Sequence, residues 1–330
     1  MHRTRLVPVL FACLVLAAVV RADVKTQQKS TFKFAGAAGA VLNKFGGAAT
    51  KEGLVTTSAV KGNRKLSITG DTGEIIDLGE EKVYTLDMKG KSYKVATFAE
   101  LRAAFEKAKA DAAKQKQEVK PEDKEQIQDT GKQYEFDADV KETGQKKNIA
   151  GFDTHEVILT ITAHEKGKKV EDSGGFIMTT DMWLAPKIAG LDELIQFQLK
   201  YMKAVYGEAF VADAQQMAST VATYPTFKPM AERMQAESGK LQGTPVLSST
   251  TFDGVKSAEA MKQAQSQAQN QPPPTTGGGI GGALAKKMMG ANKPPTQRGT
   301  VFTSSHEILS VAPTVTAEDV ALPAGFKEKK

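Results

Sequence analysis

The sequence predicts an α+β protein built of antiparallel strands and amphipathic helices. Three observations predict it. Residues 53 to 95 break into apolar-alternating runs of a few residues separated by turn clusters; two later stretches switch to helical apolar spacing; and alternation returns after each of them. The runs in 53–95 lie too close together for crossover helices, so their strands must pair antiparallel as a meander.

The elements follow in order. Lys61-Gly62-Asn63, Gly70-Asp71-Thr72-Gly73, Leu78-Gly79-Glu80 and Met88-Lys89-Gly90 are the turns of the meander. Phe98, Leu101, Phe105, Ala108 and Ala112 then form one helical stripe, and Thr97 with Glu100 three residues on is a capping-box pattern. The continuation to Gly131 loses the stripe and becomes charged, as a solvated helix end and linker do. Strand signals resume in QYEFDADVKETGQ, NIAGFDTHEVILTITAHEK and GGFIMTTDMWLAP. After Pro186 comes the longest helical pattern, with Leu191, Leu194, Ile195, Leu199, Met202, Val205, Tyr206, Ala209 and Phe210 in phase and Asp192 and Glu193 in the first turn. PMAERMQAES predicts a short helix, TPVLSSTTFDG and TVFTSSHEILSVAP predict strands, and VALPAGF closes the chain.

The ends and the composition bound the function. Arg3 and Arg5, an apolar run from Leu6 to Val20 interrupted by Pro8, and Val20-Arg21-Ala22 have the order of a secretory signal peptide. The run is short of the roughly 20 residues that span a bilayer, so cleavage after Ala22 and a periplasmic or secreted product are expected. Cys13 offers the rival reading of a lipoprotein box, which the bulky Phe11 and the apolar run beyond the cysteine disfavour. As the only cysteine lies in that segment, the mature chain is expected to have neither disulfides nor thiolate chemistry. Loss of Arg3, Arg5 and Arg21 takes the 44 basic side chains to 41 against 38 acidic ones, and aromatics make up 7%, which is no nucleic-acid footprint. The domain map is therefore a signal at 1–22, a sheet and helix domain at 23–254, a low-complexity flexible insertion rich in Ala, Gln, Gly and Pro at 255–297, and strands at 298–330 that complete the sheet.

EIIDLGEEKVYTLDMKGKSYKVATFAELR, the later NIAGFDTHEV with Trp183 before Pro186, and the ending DVALPAGFK together resemble an uncharacterised family of exported bacterial domains, domain-of-unknown-function family 4412. Those domains in turn resemble the LolA-like superfamily of periplasmic lipoprotein carriers. The resemblance covers residues 23 to 255 and 298 to 327 and rests on turns and strand patterns. It implies a strongly curved antiparallel sheet, a LolA-like half-barrel, whose concave face is plugged by two or more amphipathic helices and holds acyl chains. The insertion departs from that pattern, and no motif matches a contact with a membrane release partner.

Candidate chemistry is sparse. Gly277-x-Gly279-x-x-Gly282 matches a dinucleotide fingerprint in spacing but follows Pro272-Pro273-Pro274 instead of a strand, and no acidic residue occurs between Glu259 and Glu307. No cofactor is expected. His155 and His164 sit nine residues apart on one strand, roughly 25 Å or more if it is extended, so no metal site is expected from them. Asp77 and Asp87 precede turns and are read as acceptors of turn hydrogen bonds before any acid and base role. Ser305 and His306 are adjacent on a strand and must point to opposite faces, and there is no GxSxG elbow, so no catalytic residue is assigned.

Trp183 is either a packing anchor at a corner or a rim residue of a ligand groove, and Phe197, Tyr201 and Phe210 either line that groove or belong to ordinary core. Residues 32 to 50, rich in Gly and Ala, are either an apolar flap or a lipid contact. Ile280, Leu284, Lys286, Lys287 and Met288 form a short apolar helix candidate for lipid or partner contact. These readings make the chain an exported, non-enzymatic protein expected to bind a lipid, acyl chain or other apolar ligand in a sheet-helix groove. The alternative is a structural or stress-related envelope interaction module with a filled core. The partners that follow are an apolar ligand, or a peripheral membrane or envelope protein contact, and no nucleic acid.

Overall fold

The computed structural model describes residues 23–36, 39, 43, 47–118, 133–223, 226–269 and 296–329; the side chains of 48, 49, 112–118, 209–223 and 267–269 lie outside that description. The signal segment, much of the 32–50 stretch, and Ile280, Leu284, Lys286, Lys287 and Met288 fall outside the described residues.

Twelve strands form one open sheet. They are β1 (Val24–Phe34), β2 (Leu54–Lys61), β3 (Arg64–Thr69), β4 (Thr72–Asp77), β5 (Lys82–Asp87), β6 (Ser92–Thr97), β7 (Tyr134–Ile149), β8 (Phe152–Glu165), β9 (Gly175–Ala185), β10 (Thr244–Val255), β11 (Arg298–Ala312) and β12 (Lys327–Glu328). Their spatial order is β12-β6-β5-β4-β3-β2-β1-β11-β10-β9-β8-β7, antiparallel throughout except for the short parallel pair of β12 with β6. Two meanders, β2 to β6 and β7 to β11, are thus joined where β1 lies between β2 and β11. The α+β class and the antiparallel meander of 53–97 stand as the turn spacing predicts.

β1 was not expected. VKTQQKSTFKF lacks apolar alternation, yet it is the strand on which both meanders converge, and only Val24 and Thr26 in it are fully buried. Phe32 and Phe34, read from sequence as the start of a flap, are strand residues, and Gly47–Lys51 forms the short helix α1.

The other helices are α2 (Phe98–Glu118), α3 (Val170–Ser173), α4 (Leu191–Thr223), α5 (Lys228–Ala236) and α6 (Ala258–Gln269). The capping box that starts α2 is formed: Thr97 N donates to Glu100 Oε2 at 2.7 Å, and Glu100 N donates to Thr97 Oγ1 at 3.2 Å. α4 is kinked at Gly207, where φ is +83°, a value that suits glycine. The kink frees carbonyls one turn back, and the Arg102 guanidinium of α2 donates to the oxygens of Ala204 and Val205. α6 lies within the segment read from composition as one flexible insertion; Ser257 Oγ accepts from Ala260 N at its start.

The even-numbered residues of β1 share one face, since side chains alternate along a strand. At Val24 that face is covered by α2 and α4: Val24, Val60, Ile76 and Val83 pack on Phe98, Phe197 and Val205. Tyr201 adds an edge-on contact with Phe98 at 5.4 Å between ring centroids. At the far end, Met234 of α5 and Leu241 pack on Val140, Val157 and Leu184. The opposite face of β2 to β5 is covered by the C-terminal tail. Val315 and Val320 pack on Ala59, while Leu322 and Phe326 pack on Leu66, Ile75 and Leu86. Lys25 Nζ clamps the tail to β1 by a 2.6 Å bond to Asp319 Oδ1. That bond, with the Thr316 amide, holds the Asp319 carboxyl down at about 2.

Phe197 is 1% exposed and Ile195, two residues earlier on the same helix, is 59% exposed. Phe197→Ala should therefore cost about 3–5 kcal/mol in urea unfolding, whereas Ile195→Ala should stay within about 0.5 kcal/mol of the parent.

Candidate functional site

Between the α2–α4 cover and the α5 cover, the helix face carries a ladder of phenylalanines. Phe34 meets Phe32 at 4.8 Å between centroids, Phe32 stacks on Phe302 at 5.1 Å, Phe302 on Phe252 at 5.2 Å and Phe252 on Phe176 at 4.9 Å. Phe176 reaches Phe136 at 5.8 Å, and Phe136 stacks on Phe227 at 4.6 Å. The strands contributed are β1, β11, β10, β9 and β7, so the ladder crosses β8 without a ring. There the facing residue is Ala163, paired with both Phe176 and Phe136, and its small side chain lets the two rings meet over it. All seven rings are half-buried.

The ladder spans five strand intervals, about 24 Å at the usual strand spacing. Offset and edge-on aromatic pairs of this kind stabilise one another by roughly 0.5–1.5 kcal/mol beyond their area. A contiguous run of half-buried rings is the kind of apolar surface at which a ligand or partner can dock.

Next to the ladder on the same face is a hollow of about 310 Å³ whose walls include Ser30, Phe32, Leu54, Ser248, Ser304 and His306. Strand register orders it in rows. Ser30, His306 and Ser248 are direct cross-strand partners; the next same-face row holds Phe32, Ser304 and Thr250; the third holds Phe34, Phe302 and Phe252. Ser30 Oγ lies 3.2 Å from His306 Nδ1, and Thr250 bonds Thr180 at 3.0 Å. Leu54 at 37% exposure leaves an apolar lip beside the hydroxyls.

The residues singled out from sequence are not brought together. Trp183 is buried with Ile149, Ala185, Ile188, Val246 and Ile308, and Lys147 Nζ sits 5.1 Å above its ring. Phe197 and Tyr201 belong to the α2–α4 cover, and the side chain of Phe210 lies outside the described residues. Asp77 and Asp87 accept turn amides, from Gly79 and Glu80 at 2.9 Å and from Gly90 at 2.7 Å, as the turn chemistry predicts. Ser305 and His306 do diverge: Ser305 bonds Thr31 on one face and His306 meets Ser30 on the other.

Sequence reasoning missed the ladder. Its signal was a phenylalanine in each of STFKF, VFTSS, TTFDG, GGFIM and YEFDA, near one end of each strand. Those rings become one feature only once the register is known.

Two polar clusters lie elsewhere on β7 to β9. Glu156 is buried, accepts from Thr143 Oγ1 and faces Asp181, whose carboxyl is pushed up by burial and by the Glu156 charge, against the pull of Lys147. His164 is 8% exposed; its Nε2 lies 2.8 Å from Asp137 Oδ2, and its Nδ1 lies 3.1 Å from the Glu165 oxygen and 3.8 Å from Glu135 Oε1. Among the described residues no group of three or more His, Cys, Asp and Glu side chains is placed to hold a metal ion. No helix among them is long and apolar enough to cross a membrane. No known protein-family model and no curated protein matches this chain.

Burial alone would lower the His164 pKa, but the Asp137 bond, the Glu165 carbonyl and the nearby charges of Asp137 and Glu135 outweigh it and raise it above the ordinary 6.5. A raised folded-state value favours the folded protein below the unfolded value and loses that contribution as pH rises through the folded one. Unfolding free energy followed upward in pH from below the ordinary 6.5 should therefore contain a downward component that His164→Gln removes.

Proposed function

We propose that this chain is an exported, non-enzymatic protein that binds a lipid, acyl chain or other apolar ligand along the phenylalanine ladder of its helix face. The ladder is the observation that carries the reading. Seven contacting rings lie half-buried on one face, short of the full burial of Phe98 and Phe197 in the core. Each 100 Å² of apolar surface removed from water there contributes about 2.5 kcal/mol before the costs of association. An open, mostly antiparallel sheet with the long helices α2 and α4 packed on one face is in keeping with the resemblance to LolA-like domains, and the leading segment supports export.

The groove proposed here is displaced from the one expected in sequence. Its floor is sheet, made of Phe32, Phe302, Phe252 and Phe176, and Phe197 and Trp183 serve as packing in clusters apart from it. The alternative, an envelope interaction module without a ligand, draws on the ring-to-ring contacts themselves, since the phenylalanines partly satisfy one another.

N-phenylnaphthylamine, an uncharged apolar dye, should bind the full chain saturably with a rise in fluorescence. Phe252→Ser with Phe302→Ser should weaken it by tenfold or more, about 1.4 kcal/mol. Absence of saturable binding by the parent protein would favour the interaction module.

A further inference from the structure

Resting on that reading, we infer that the ligand is a single-chain amphiphile with an acceptor-only anionic head, a long-chain carboxylic acid, whose carboxylate is held by His306, Ser248 and Ser304 while its chain lies along the phenylalanine ladder. The inference comes from the order of the three rows and from which polar atoms in them are already used.

In the first row, Ser30 and His306 satisfy one another through Nδ1. We take the Ser30 hydroxyl as the donor to Nδ1, which puts the imidazole proton on Nε2. Nε2 makes no hydrogen bond with the described residues, and neither do Ser248 Oγ and Ser304 Oγ. None of the three is among the sealed polar atoms without a partner, so all are open to a ligand or water. Thr250, by contrast, is taken up by Thr180. The hollow therefore offers one N–H and two free hydroxyls.

Charge narrows the class of head group. Among the described residues no Asp, Glu, Lys or Arg lines the hollow, so there an anion meets no like charge and a cation no counter-charge. A carboxylate only accepts hydrogen bonds, on two oxygens, and so suits a hollow that offers three donors. A terminal alcohol accepts at one oxygen only and so uses fewer of the three donors than a carboxylate does. Hydrogen bonds to an ionised acceptor are also about twice as strong as neutral ones.

Placement completes the case. Same-face rows on a strand lie roughly 7 Å apart. A head group at His306 and Ser304 thus sets the first methylenes against Phe32, with Leu54 beside the head, and the remainder of the chain at Phe302 and Phe252, from which the ladder continues to Phe176 and Phe136. The head end is polar and uncharged and the ladder is wholly apolar. That gradient suits an amphiphile better than a hydrocarbon.

The test is displacement of N-phenylnaphthylamine from the full chain by palmitate and by hexadecanol, which share a chain length and differ in the head. Palmitate should displace the dye at a concentration at least tenfold lower. The triple variant Ser248→Ala, Ser304→Ala, His306→Ala should keep the dye affinity and lose that preference. His306→Gln, which leaves the hydroxyls in place and offers an amide donor, should keep part of it, and it serves where the triple variant does not fold. Equal potency of the two amphiphiles, or a preference that survives in the triple variant or is unaltered in His306→Gln, overturns the head-group assignment while dye binding leaves the groove standing. Failure of the parent protein to bind the dye and both amphiphiles overturns the groove as well.

Discussion

The pairing of β1 with β11 is the constraint on which the rest of the structure depends. It registers Lys25 to Phe34 against Ala312 to Phe302 and so joins residues nearly 300 positions apart. Without it there would be two separate meanders with a raw edge each, and exposed strand edges are templates for misassociation. The junction is mostly polar in its side chains, with Ser30 against His306 and Thr31 against Ser305. Its strength lies in backbone hydrogen bonds shielded by flanking strands. Contacts of such separation are slow to form because loop closure precedes their reward.

That junction also places the site. Phe32 and Phe34 enter from the start of the chain, Phe302 from its last long strand, and Phe252, Phe176 and Phe136 from the second meander. The hollow with His306 sits across the same seam, walled by β1, β2, β10 and β11. The two covers of the helix face are built differently. α2 and α4 make a dry cluster around Phe98 and Phe197, whereas α5 reaches the sheet through Met234, with Leu241 beyond it. Between them the same face presents the rings of the ladder.

Much of the fold was legible because its determinants are local. The turns of 53–95, the Thr97–Glu100 cap and the strand and helix phases each depend on residues a few positions apart. β1 was illegible because a strand flanked on both sides gains its stability from hydrogen bonds that composition does not display, and VKTQQKSTFKF has no apolar rhythm. The site was less legible still. Phe197 and Tyr201 look like groove residues on a helix drawn alone, but α2 packs Phe98 against them. The isolated phenylalanines of five strands and the serines beside His306 carry no sequence rhythm linking them; only register aligns them. α6 escaped notice because Ala and Gln repeats read as low complexity although both residues favour helix.

The most direct measurement is solution NMR of the phenylalanine-labelled protein with a spin-labelled long-chain fatty acid. The ring signals of Phe32, Phe302 and Phe252 should broaden in proportion to bound ligand, while those of Phe98 and Phe197 should stay sharp. Broadening that spares the ladder, or that falls evenly on all rings, would contradict a ligand seated along the sheet.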